Sequence, residues 1–175
     1  MENILEKSYR DLLNAGFFPE DLVSYEKERI KDFFASKPQN CQAGDYLLKD
    51  GTTLREVPSD ISQIEGIWLS STCIASPHIP DKKLNYAEAK KFCMSQRIQN
   101  FPLHLPHNNW IPMLFKERLK QAGLKEMEND YYWSSVSCTL DGREIIGACN
   151  PRQGEITFFD PMEEIHCYAV LELSD

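Results

Sequence analysis

An α+β fold is what this sequence predicts, on three observations. Apolar residues recur at helical spacing over residues 1–40. Two later segments, opening at Asn85 and near Trp110, carry helix start and stop signals. From residue 131 onward, short β-branched and aromatic runs alternate with turn dipeptides. Helices first and an antiparallel meander last argue for an α+β domain rather than a βαβ one.

The first helix is expected around Leu5, Tyr9, Leu12 and Leu13, stopping at Gly16. A second should open at Pro19, with Glu20 and Asp21 in its first turn, where acids suit the helix dipole. Val23, Ile30, Phe33 and Phe34 form its apolar stripe, and Lys37-Pro38 ends it. This N-terminal helical hairpin, residues 1–40, is too short to bury its stripe alone. It is expected to pack on the main domain, residues 41–175, or on a partner.

The main domain begins with a β-hairpin. Asp45 to Leu48 and Thr52 to Leu54 flank the turn Asp50-Gly51, and residues 66–70 form a further strand. Residues 76–83 read as loop. Asn85 and Glu88 make a capping box for a helix whose inner face is Ala89, Phe92 and Cys93. A loop with Pro102 and Pro106 leads to a helix from Trp110 to Ala122, with Met113, Leu114 and Leu119 inward and Gly123 as its stop. Strands are expected at 131–136, 145–149, 156–159 and 168–173, punctuated by Asp141-Gly142, Gln153-Gly154 and Asp160-Pro161.

The order of these pieces carries a resemblance. GDYLLKDGT at 44–52 is followed by GIWLSS at 66–71, LNYAEAKKFC at 84–93, HLPHNNWIPML at 104–114 and YYWSSV at 131–136. This resembles the Lcl C-terminal domain family, a domain of unknown function, over roughly residues 44–175. The strongest elements are Tyr132-Trp133-Ser134-Ser135 and the helix Glu88-Ala89-Lys90-x-x-Cys93. Leu103-His104 stand where members carry Trp-Arg, and the last strand also departs, so the chain reads as a divergent member. The resemblance implies a C-type-lectin-like fold, with two helices flanking a twisted antiparallel sheet. It also implies protein or carbohydrate binding and no catalytic machinery.

Composition excludes several classes. The 175 residues carry a formal net charge of -8 with no basic stripe, which argues against a nucleic-acid partner. No run is long and apolar enough to span a membrane. The N-terminal residues lack a signal-peptide pattern, so a cytoplasmic location is expected, with export by a route that reads no cleavable signal still compatible. The six cysteines are then expected as free thiols.

The chemically capable residues are few. Trp133 is expected in the core, with its N–H bonded to backbone. His104 and His107 are three apart, but Pro106 intervenes and His78 and His166 are distant in sequence. Without co-ligands, no metal site and no cofactor are expected. Cys149 or Cys167 paired with His104 or His166 lacks any sign of an activated thiol, so no catalytic residue is assigned. The acidic run at Asp160, Glu163 and Glu164 reads as a solvated turn rather than a calcium cage. Binding is expected at the turns of the late strands, through Arg143, Asn150, Arg152 and Gln153. Two functions stay open: a binding module for a protein or glycan, and an assembly protein docking a partner through residues 1–40.

Overall fold

The computed structural model describes residues 19–107, 113–152 and 154–173, with side chains from residue 27 onward. The chain divides into two units, Met1–Lys37 with Leu173–Asp175, and Pro38–Glu172. Together they make an α+β protein with antiparallel sheets.

In the first unit, α1 spans Pro19–Ala35. Proline suits the opening position, where its missing N–H costs nothing. The helix ends as Ser36 Oγ donates to the Phe33 carbonyl and Lys37 Nζ to that of Phe34, satisfying acceptors that have no helical partner. The helix expected over residues 5–13, and with it the hairpin, lies outside the described residues.

The second unit is built on a five-stranded sheet. It contains β1 (Tyr46–Leu48), β2 (Thr53–Leu54), β3 (Ile64–Ser70), β4 (Cys73–Ala75) and β10 (Val170–Glu172), in the order β10-β4-β3-β1-β2. Asp50-Gly51 turns the first hairpin as expected: Gly51 has φ 89°, and Asp50 Oδ1 accepts from the Thr52 N–H. Gly66 is required for a different reason. A Cβ there would lie 2.5 Å from Ile74 Cγ2 on the neighbouring strand.

The helix α2 (Tyr86–Ser95) begins with the full Asn85–Glu88 capping box and buries Ala89 and Cys93. The stretch carrying Pro102, expected as loop, instead holds a two-stranded hairpin of β5 (Arg97–Ile98) and β6 (Phe101–Pro102). Gln99 and Asn100 supply positive φ values of 50° and 66° at its turn. Neither is glycine, which is why the turn is hard to see in the sequence. The helix α3 is described over Met113–Gln121; residues 110–112 of the expected helix lie outside the described residues. Its buried face is Phe115, Leu119 and Ala122, while Met113 is exposed. After it, Gly123 adopts φ 70° and the N–H groups of Gly123 and Leu124 return to Lys120 and Leu119.

The late meander has three strands rather than four. They are β7 (Tyr132–Leu140), β8 (Arg143–Cys149) and β9 (Ile156–Phe159), in that order. The fourth expected strand, β10, leaves them and pairs with β4 at the edge of the first sheet. The core of this unit lies between that sheet and α3. Tyr46, Ile67, Ala75 and Val170 meet Phe115, Leu119, Tyr132 and Tyr168. Trp133 is fully buried, and its indole N–H donates to the Leu84 carbonyl at 2.9 Å. Among the described residues, no helix is long and apolar enough to cross a membrane.

Candidate functional site

The β7–β8 ladder is not regular. Trp133 pairs with Ala148, but the next pair is Ser137 with Ile146. Four steps along β7 therefore face two along β8, and Ser134, Ser135 and Val136 bulge from the ladder. Such bulges re-aim side chains and recur beside functional sites. Here Ser134, buried, closes the bulge from within. Its hydroxyl donates to the Gly147 carbonyl at 2.7 Å and accepts from the Val136 N–H at 3.2 Å. Ser135 is released to a different segment, its N–H donating to the Pro106 carbonyl at 2.9 Å.

That segment is the stretch 104–107. His104 forms an isolated antiparallel bridge with Val170, with backbone bonds of 3.0 and 2.9 Å. Opposite residues in an antiparallel pair share a face, and so do residues two apart on one strand. Glu172, two beyond Val170, therefore lies on the face that His104 occupies. His107 closes the group: its N–H donates to Glu172 Oε2 at 3.1 Å. His104, His107 and Glu172 each offer one ligating atom, all within 4.8 Å of one another.

The imidazoles are held from behind. His104 Nδ1 lies 2.8 Å from the Leu105 carbonyl, which can only accept, so Nδ1 carries the proton and Nε2 the lone pair. His107 Nδ1 lies 2.5 Å from Ser135 Oγ, and Ser135 Oγ donates to the Pro106 carbonyl at 3.2 Å. When the hydroxyl proton goes to the Pro106 carbonyl, the hydroxyl accepts from His107 Nδ1–H, which is the tautomer with the lone pair on Nε2. Burial pushes the His104 pKa below the ordinary histidine value, with neighbouring His107 adding to the effect, against opposing contributions from the Leu105 carbonyl and Glu172. His104 is thereby neutral at pH 7.

A small groove adjoins this cluster. Tyr86, Lys90 and Met94, at i, i+4 and i+8 on α2, face His104, Leu105 and Ser135 across about 120 Å³. Lys90 Nζ sits 4.7 Å from the centre of the Tyr86 ring. The groove's walls are almost wholly apolar, with the Lys90 ammonium lying over the Tyr86 ring and the Ser135 hydroxyl bonded to Pro106 and His107.

Of the residues expected to bind, Arg143 lies apart from Asn150 and Arg152. Arg143 opens β8, while Asn150 and Arg152 follow its other end, roughly 20 Å away at the rise of a strand. Arg143 and Arg152 are exposed. Asn150 is largely buried, and its Oδ1 accepts the Arg152 N–H at 2.9 Å, forming a turn of its own. Gln153 lies outside the described residues. His104 and His107, set aside in the sequence for want of a co-ligand, have Glu172 as a third group within ligating reach. The signal was a carboxylate in the apolar run Ala169-Val170-Leu171-Glu172, where an acid must have a partner to be buried.

The Cys73 and Cys93 thiols are shifted away from activation. Cys73, Cys93, Cys149 and Cys167 are buried. Desolvation, with the carboxylate of Glu172, drives the Cys73 pKa far up, and the close approach of Cys167 together with burial does the same for Cys93. A catalytic cysteine needs the opposite shift. His166 stacks on Tyr132, with its Nε2 3.1 Å from Glu128 Oε2 and 3.4 Å from Asp130 Oδ2, neither aligned for a hydrogen bond.

No family model matches the chain, and no curated protein matches it.

Proposed function

We propose that the chain is a non-enzymatic binding module that takes a protein or glycan ligand, with the groove beside α2 as its anchoring point. The observation that carries this reading is the bulge in β7. It takes Ser135 out of the sheet, puts its hydroxyl on His107 Nδ1, and makes the residue line the groove with His104, Lys90 and Tyr86. Size favours a large ligand touched at one place. Pockets that enclose a small molecule run to roughly 300–1,000 Å³, whereas this one is about 120 Å³. It has room for one side chain or part of one sugar. Its nearly apolar walls, edged by Tyr86 and Lys90, suit the apolar face of either. The raised pKa values of Cys73 and Cys93 speak against either as a nucleophile.

The motif resemblance fits the same picture. We read the chain as a divergent member of the Lcl C-terminal domain family with a C-type-lectin-like fold. Its antiparallel sheets and the helices α2 and α3 support that reading, as does the tie between Tyr132-Trp133-Ser134-Ser135 and the groove.

The test is a glycan array and a peptide array probed with the intact chain, then repeated with Tyr86→Ala, Lys90→Ala and the pair Arg143→Ala with Arg152→Ala. The groove variants are expected to lose the captured ligand and the arginine pair to keep it. Loss with the arginine pair alone would move the binding surface to the turns of β8.

A further inference from the structure

We infer that His104, His107 and Glu172 form a binding site for a divalent transition-metal ion of the zinc class. Three observations converge. The ligating atoms of two imidazoles and one carboxylate lie within 4.8 Å of one another. Two nitrogens and one oxygen are a donor set that suits zinc and its neighbours and leaves coordination positions open. Each imidazole is also braced through Nδ1, His104 on the Leu105 carbonyl and His107 on the Ser135 hydroxyl. Metal-ligating histidines are characteristically held this way, because the outer bond fixes the ring and its tautomer.

The surroundings suit a cation. His104 is half-buried and Glu172 is 8% exposed, so an ion between them would sit largely out of water against a carboxylate. A cluster held by hydrogen bonds alone, such as the His107 N–H to Glu172 Oε2, is the competing answer. The two answers differ in stoichiometry, in pH dependence and in spectroscopy.

Access is available from the side of His107, which is exposed. His104 also lines the groove, so an ion on it would stand at the groove's end and present a free position to a ligand oxygen. Binding of the ion does not depend on what the groove takes, and its test uses the metal alone.

Thiols bind the same metals, so the experiment must separate them. Cys138 is exposed and Cys41 half-buried. The chain carrying Cys41→Ser and Cys138→Ser is titrated with Co²⁺ and with Zn²⁺, by visible absorption and by calorimetry, at pH 7.5 and pH 5.5. One equivalent should bind at pH 7.5, with a cobalt spectrum free of sulfur charge transfer. Binding should weaken at pH 5.5, where protons compete for the imidazoles. His107→Ala and Glu172→Gln should each abolish stoichiometric binding. His107 is exposed, so its variant tests the site without disturbing the core. Ser135→Ala, which removes only the brace, should weaken affinity about 10-fold or more. Absence of stoichiometric binding would overturn the site, as would binding unchanged in His107→Ala, or binding lost with the two cysteine substitutions.

Discussion

The two halves of the β7–β8 hairpin run on the same two strands and have opposite characters. In the outer half, Ser137 to Leu140 pair one to one with Arg143 to Ile146, the side chains of β7 are exposed, and Asp141-Gly142 closes the turn with φ values of 52° and 77°. In the inner half, Tyr132, Trp133 and Ser134 are buried against Ala148 and Cys149, and the ladder breaks. The outer half obeys the rules of an isolated hairpin. The inner half departs from them, and the departure brings Ser135 to His107. Regularity here marks the part that only closes the sheet, and irregularity marks the part that positions chemistry.

Substitutions can break or sharpen that contrast. The largest effect is expected at Trp133, fully buried and bonded to Leu84. Trp133→Ala should cost about 3–5 kcal/mol by chemical denaturation. A loss under about 1 kcal/mol would mean the inner half is not the anchor described. Next is Ser134, whose hydroxyl closes the bulge onto the Gly147 carbonyl. Ser134→Ala removes the donor to a buried acceptor and should cost about 1–3 kcal/mol, whereas Ser137→Ala in the exposed outer half should stay within about 0.5 kcal/mol. Equal costs at the two serines would erase the distinction.

A smaller effect is expected from pH. Burial lowers the His104 pKa from its ordinary 6.5, so the unfolded chain binds its proton more readily than the folded one. The associated stability is complete above about pH 6.5 and is lost as pH falls through the lowered value. Denaturation midpoints of the native chain and His104→Gln, compared from pH 8 to pH 5, should converge as the solution is acidified. Parallel curves would contradict a buried neutral His104. The smallest effect belongs to the turns. Arg143→Ala with Arg152→Ala should change stability by less than about 0.5 kcal/mol, because both side chains are exposed and at opposite ends of β8. A larger change by thermal melting would show that the turns carry structure.

Local signals in the sequence read well, and pairings distant in sequence did not. The Asn85–Glu88 capping box, the Gly123 stop and the Asp50-Gly51 and Asp141-Gly142 turns are short-range features with one physical solution each. The burial of Trp133 follows from a large aromatic opening a strand. What escaped depends on distance. Nothing in residues 168–173 says that this strand leaves its neighbours for β4, and without that pairing Glu172 has no reason to stand near His104. Pro106 argued against a helical His-x-x-His face, and rightly. The two rings instead meet on a bridge to β10, with centres 4.8 Å apart. The bulge was hidden for a similar reason, since its serines are unremarkable as strand residues until the partner register is known.

The central claim is that the inner half of the hairpin holds His107 for a purpose, fixing its ring through Ser135. Long-range ¹H–¹⁵N correlation of the imidazoles, recorded at pH 7.5 without added metal, tests this directly. His104 and His107 should both appear as the Nδ1–H form, and His107 should lose that preference in Ser135→Ala. A His107 ring protonated on Nε2, or one averaging freely between tautomers in the native chain, would contradict the account.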